Sequence, residues 1–434
     1  MAVKYKSIKE RENKKMKRKL FALILIAAIA AAGLMSGCSK GNDGPSGGSG
    51  KDISIIYWMS ENGYKAQVAA NDTVYDPILD AIPVYEEKYN VDVNLIAVPW
   101  GDMLSQMTQL QNSGQAPDLV EVYDRTMHNV ILNNYVMALD EYVTDEDYSH
   151  FKVSRDLFSW NGKTYAIPLK PYLYYIMFNK DMFDMEGLPY PDELFRNGEW
   201  TFDKFEEVGK ALTKYVDGER VQYAFTSWTE HLAATIVSNG SAIVKIDNQN
   251  GTAESGLSDP KTIRALEYLS RWVNPVNGII EISDNMWGDF DNNRCAMNRG
   301  KEYPDGWDLP FATGMVPLPA GPDAPPKSVY VYPQAMAVPT GSKNPEAAVE
   351  FMRIVHQRQK EVGDAKEAAR IGQENYDMIY SDDTNFIYAY DKGIEGYDEI
   401  EAMIYEMLVE GIPPATIAET IAPDINAAIE MMFK

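Results

Sequence analysis

The chain has 434 residues, with 40 Lys and Arg against 64 Asp and Glu, for a net charge of −24. Nine of the basic residues but only two of the acidic ones fall within residues 1–19, so the rest carries 31 basic and 62 acidic groups, a net −31. A body this acidic repels phosphate backbones and anionic headgroups, which excludes nucleic acid and a charge-driven membrane contact. Two cysteines, Cys38 and Cys295, and four scattered histidines, His128, His150, His231 and His356, offer no metal-ligand spacing, and neither a metal nor a cofactor is expected.

In chain order, the basic head is followed by an uncharged apolar run over residues 20–35 and then Ser36-Gly37-Cys38. The run is short for a membrane span, and small residues precede the cysteine, as at a signal-peptide cleavage site. The segment resembles the bacterial lipoprotein signal, with Met35 where Leu is usual. That resemblance implies a signal peptide over residues 1–37 and a Cys38 that is acylated after cleavage. Residues 38–51 are then a lipidated cysteine followed by a flexible Gly/Ser-rich leash. With Cys38 so used, Cys295 has no disulfide partner. The 397 residues after the cleavage point are enough for two lobes that stand on burial alone.

Residues 52–58 read as a buried strand rich in β-branched side chains, residues 77–89 as a helix, and residues 91–98 as a second strand. Pro99-Trp100 ends that strand, residues 101–112 read as a helix, and residues 116–123 as a third strand. Such alternation argues for a parallel α/β sheet, whose ligands lie beyond the carboxyl ends of the strands. Trp58, Trp100 and Tyr123-Asp124, each just after a strand, fall along one such rim. A second block begins with short strands at residues 163–168 and 174–179. Its helices start at Thr201, at Asp259-Pro260 and at Asn344-Pro345, each with a capping residue or Pro in the first turn. An amphipathic helix over residues 414–434 ends the chain, and no repeat of fixed period is present.

Five segments carry a family resemblance, in order. They are YNVDVNLIAVPW at residues 89–100; SGQAPDLV at 113–120; NGKTYAIP at 161–168 with YIMFNKDMF at 175–183; Cys295-Ala296-Met297 with Gly300; and AMAVP at 335–339 with NPEAA at 344–348. Together they resemble the family 1 extracellular solute-binding proteins, the substrate receptors of ATP-driven sugar importers, which include the maltodextrin-binding protein. Phe178 stands where Tyr is common before the Asn, and Arg294-Cys295 stand where small residues precede the Ala-Met.

The resemblance implies an α/β, two-lobed, type II periplasmic-binding-protein-like clamshell, each lobe a mostly parallel sheet flanked by helices. The lobes are placed at residues 52–168 with 285–317, and at 170–284 with 321–434. The chain is expected to cross between them near residues 168–171, 280–285 and 317–322. It further implies a monomer on the outer face of a bacterial, Gram-positive-type membrane, held by lipid alone. This protein would capture a carbohydrate, an oligosaccharide by preference, and deliver it to the permease subunits of an ABC transporter without acting as an enzyme. A receptor for a peptide or polyamine, and a tethered glycoside hydrolase, are the alternatives.

A sugar site needs flat aromatics for C–H faces and planar polar groups for hydroxyls. Trp58, Trp100, Tyr123, Tyr172 and Tyr174 are candidates by their places after strands or beside the first crossing. Asp124-Arg125 falls where the maltodextrin-binding protein carries an Asp-Arg pair that reads hydroxyls. Trp228 and Tyr303 stand where the family often places an aromatic, and Trp287, Asp289, Trp307 and Tyr332 complete the set. Trp160, Trp200 and Trp272 lie on helix starts or apolar faces and are assigned to the core. The acidic run of Asp140, Glu141, Asp145, Glu146 and Asp147 lacks the ligand spacing of a calcium loop and reads as a solvated face.

Overall fold

The computed structural model describes residues 50–151, 154–300, 309–389 and 393–433. The signal segment, Cys38, Tyr303 and Trp307 lie outside the described residues. Two sheets organise the body from residue 49 onward. The first has the strand order Asn94–Ala97, Ser54–Tyr57, Leu119–Tyr123, Gln334–Ala337, Ala166–Pro168. Ser54–Tyr57 runs parallel to both of its neighbours, whereas Gln334–Ala337 is antiparallel to both of its own. The second has the order Ile280–Ile282, Glu219–Ser227, Cys295–Arg299, Tyr175–Asn179, Thr313–Pro317. Its first two pairings are parallel and its last two antiparallel. Helices pack on each sheet, and each sheet has its own apolar core.

Local chemistry explains the helix starts. Asp76 caps Pro77–Tyr89 by accepting the Leu79 N–H at 2.9 Å, and Asn90 closes it in the left-handed conformation. Asp259 and Thr201 cap Pro260–Trp272 and Phe202–Leu212 in the same way. The expected helix from residue 101 begins instead with a 3₁₀ turn, Trp100–Asp102, before Met103–Asn112.

The lobe boundaries expected from position need correction. Cys295–Arg299 and Thr313–Pro317, expected in the first lobe within 285–317, are strands of the second sheet, and Met297 and Val316 are buried in its core. Gln334–Ala337, expected within 321–434 of the second lobe, is a strand of the first sheet. Helix Pro345–Arg358 joins the same core through Ala348, Phe351 and Val355. The chain passes between the cores at residues 169–171, then at Pro333 and at Gln359–Gly363, not at 280–285 or 317–322. An apolar strand advertises its conformation but not its partner, because pairing is non-local. The Gln359–Gly363 crossing is a π-helical turn between two α-helices, a local irregularity of the kind often found at functional sites.

Part of the acidic run also departs from expectation. Asp140 and Asp145 pair with Arg155, but Asp147 is buried, accepting from Thr144 and held by Arg353 at 2.9 Å. Trp160, Trp200 and Trp272 are buried, as assigned. Among the described residues no helix is long and apolar enough to cross a membrane, and no His, Cys, Asp or Glu cluster is arranged to hold a metal ion.

Candidate functional site

The parallel run of Ser54–Tyr57, Asn94–Ala97 and Leu119–Tyr123 brings three strand ends to one edge. Tyr57-Trp58, Trp100 and Tyr123-Asp124-Arg125 follow these ends, and all six line a cavity of about 500 Å³. Its other walls come from the second core and the crossings, with Lys170, Tyr172, Tyr175, Glu230, Arg299, Tyr332, Gln359 and Arg370. That volume suits a small ligand, for which sites run to roughly 300–1,000 Å³.

The first wall is aromatic at its mouth. Trp58 and Trp100 are 40% and 47% exposed, unusual for the largest apolar side chain. Trp100 stacks on Tyr123 with ring centres 4.3 Å apart and planes 24° from parallel. Tyr123 thereby fixes the Trp100 ring while leaving much of it in water. Arg125 is anchored at the rim by Asp398, Nη1 to Oδ1 at 2.8 Å; Asp124 beside it is buried.

Deeper in the same wall sit two buried acids. The Tyr57 hydroxyl donates to Asp76 Oδ2 at 3.0 Å. Burial pushes Asp76 up to about 6, against its donors from Leu79 and Tyr57. Glu121, mid-strand, is buried, and its Oε2 has no hydrogen-bond partner among the described residues. Burial, with repulsion from Asp76 added, raises its carboxyl to about 8.

The opposite wall is built on ion pairs. Arg299 Nε sits 3.1 Å from Glu230 Oε1, and its guanidinium lies 5.2 Å from the Tyr174 ring centre and 5.5 Å from that of Trp228. Lys170, in the first crossing, pairs with Asp364 at 2.9 Å and with Glu367, and lies 4.5 Å from the Tyr380 ring centre. This network joins the first crossing to the helix Asp364–Ile371 that follows the third.

Of the residues selected from sequence, Trp58, Trp100, Tyr123, Asp124, Arg125, Tyr172 and Tyr332 line this cavity. Four described ones do not. Tyr174 is buried one layer below, stacked on Tyr330 at 5.8 Å with its hydroxyl 3.3 Å from Ser227 Oγ. Trp228 and Trp287 form an edge-to-face pair at 5.1 Å behind Arg299. Asp289 is buried on Met286–Asp291, taking the Ser283 hydroxyl at 2.8 Å and pairing with Arg294, so its carboxylate is spent on its own turn. Residues missed from sequence include Asp76, Glu121, Glu230 and Arg299. Glu121 did leave a signal, a charge inside the apolar strand LVEVY.

Residues 65–355 match the family of bacterial extracellular solute-binding proteins. The chain belongs to this family. An arabinooligosaccharide-binding protein of Bacillus subtilis (strain 168) is 22% identical to this solute-binding protein over 358 residues, 78% of this chain and 76% of the relative. In fold, the protein is similar to an ABC substrate-binding protein from Listeria monocytogenes in complex with cycloalternan. That likeness has TM-score 0.62 at 18% identity and covers 88% of this chain and 99% of the other. The cyclic alpha-maltosyl-1,6-maltose binding protein of Arthrobacter globiformis gives TM-score 0.65 at 17% identity, covering 88% and 99%. The solute-binding protein thus has the type II periplasmic-binding-protein-like fold.

Proposed function

We propose that this solute-binding protein is the receptor of an ABC importer that captures an oligosaccharide between its two cores and hands it, chemically unchanged, to the permease. The observation that carries this reading is the pair of half-exposed indoles, Trp58 and Trp100, at the mouth of a cavity walled by both cores. Exposed indole faces suit the apolar faces of sugar rings, and the charged groups deeper in suit hydroxyls. A ligand touching both cores favours whichever arrangement brings them together, by its differential affinity. The oligosaccharide ligands of the relatives support the same class.

Titration calorimetry of the full chain against arabinotetraose, maltotetraose, mannotriose, spermidine and a tetrapeptide tests the reading. Saturable binding of at least one oligosaccharide, recovered intact, is expected. Binding of spermidine or the peptide alone, or cleavage of the sugar, would overturn it.

The protein is further proposed to work as a monomer held on the outer face of a Gram-positive cytoplasmic membrane by lipid on Cys38. The basic head, short apolar run, small residues before Cys38 and Gly/Ser-rich leash support this. Cys38→Ala is expected to prevent acylation and release the protein from the membrane fraction with ligand affinity intact. Retention of the Ala variant in that fraction would make the apolar leader itself the anchor.

A further inference from the structure

We propose that the corner of the cavity formed by Asp76 and Glu121 is the subsite for an ammonium group, so that the carbohydrate taken here contains an amino sugar with a free amine. The inference rests on the carbohydrate reading above and narrows it.

Glu121 is the third residue of Leu119–Tyr123, where alternation sends its side chain to the face opposite Val120 and Val122. Its cross-strand partner on Gln334–Ala337 is Met336, which offers no polar group. The residue is 5% exposed, lines the cavity, and leaves Oε2 without a hydrogen-bond partner among the described residues. A buried polar atom left unmet costs about 1–3 kcal/mol, so an atom so placed beside a ligand cavity marks where a polar group of the ligand belongs. Asp76 shares the corner but is already committed to the Leu79 N–H and the Tyr57 hydroxyl.

The charges decide which donor. Four described cations line the cavity. Arg299 is held by Glu230, Lys170 by Asp364 and Glu367, and Arg125 by Asp398, and Arg370 is not among the groups that act on Glu121. Among the described residues, Asp76 is the charged group that acts on Glu121, and its sign is the same. The titratable neighbours Tyr57 and Tyr123 add no positive charge. Among the described residues the corner therefore holds two buried acids and no cation that acts on Glu121. A sugar hydroxyl brings one donor and no charge. An ammonium brings three donors and the missing positive charge, and its attraction to a carboxylate grows as water is excluded. Burial and the like charge of Asp76 push the Glu121 carboxyl up to about 8, so it holds a proton near neutrality before a ligand binds. On binding, that proton leaves to solvent and the ammonium takes its place against the carboxylate.

Cellotetraose, chitotetraose and fully deacetylated chitotetraose share one β-1,4 backbone and differ at carbon 2 in hydroxyl, acetamide or ammonium. Glucose and glucosamine repeat the comparison without a linkage. Calorimetry of the full chain at pH 7 is expected to show each ammonium probe binding at least about tenfold tighter than its hydroxyl or acetamide counterpart. In Glu121→Gln, which keeps the shape and removes the charge, this ratio is expected to fall to within about threefold. Equal affinities in the unmodified protein overturn the proposal, whether or not the variant folds. A tenfold ratio that survives in Glu121→Gln also overturns it. Binding of neutral oligosaccharides with none of the ammonium probes overturns the amine subsite and leaves the carbohydrate reading standing. No binding of any sugar overturns both.

Discussion

Trp100→Ala is expected to weaken oligosaccharide binding about thirtyfold or more, a loss of roughly 2 kcal/mol, while the protein stays folded. The asymmetry follows from where the ring sits. At 47% exposure it contributes little to either core, and its main intramolecular contact is the stack on Tyr123. Losing that stack costs about 0.5–1.5 kcal/mol beyond area, a small part of the stability of a body this size. A ligand stacked on the ring, by contrast, loses a preorganised face that no neighbour replaces. Trp228→Ala is the control, because Trp228 packs with Trp287 behind Arg299 and lies outside the cavity lining. Its effect on affinity should be several times smaller. Calorimetry with the best oligosaccharide, alongside thermal unfolding, checks both; unchanged affinity in Trp100→Ala would remove the indole from the site.

What could be read from the sequence was local. Strands Ser54–Tyr57, Asn94–Ala97 and Leu119–Tyr123 announce themselves by β-branched density, and the helices between them by spacing and caps. Because those strands run parallel, the residues just after them had to share an edge, which is why Trp58, Trp100 and Tyr123-Asp124 could be grouped without coordinates. Pairing partners were not legible. Cys295–Arg299 looks the same in sequence whether it joins one sheet or the other, and its antiparallel contact with Tyr175–Asn179 spans more than a hundred residues. The same limit hid Gln334–Ala337, which completes the first sheet from far along the chain. Polar residues were harder still. Asp289 and Glu121 are both acids near apolar runs, but Asp289 pairs with an arginine five residues away whereas Glu121 Oε2 meets no donor among the described residues. Only the fold separates the two.

Trp272→Ala is expected to show the converse of Trp100→Ala, a loss of about 3–5 kcal/mol in stability with ligand affinity of the folded protein intact. Trp272 ends helix Pro260–Trp272 and is 1% exposed. Phe202 and Phe205, from the neighbouring helix, meet its ring edge-on at 5.1 and 4.9 Å, and Tyr268, one turn earlier, lies 5.6 Å away. Removing the indole leaves a cavity among rigid aromatics that relax poorly, so the cavity cost adds to the lost burial. Its Nε1 donates to Glu206 Oε2 at 3.2 Å, but that carboxylate also holds Arg271 and Lys210 at 2.8 and 2.6 Å. The deletion therefore strands no buried charge, and the loss belongs to packing. Trp272→Phe, which refills part of the space, should recover a substantial share of it. Urea unfolding followed by circular dichroism measures both variants, and calorimetry under native conditions measures their affinity. A Trp272→Ala protein that unfolds at the unmodified midpoint but binds sugar poorly would move this ring from the core to the site.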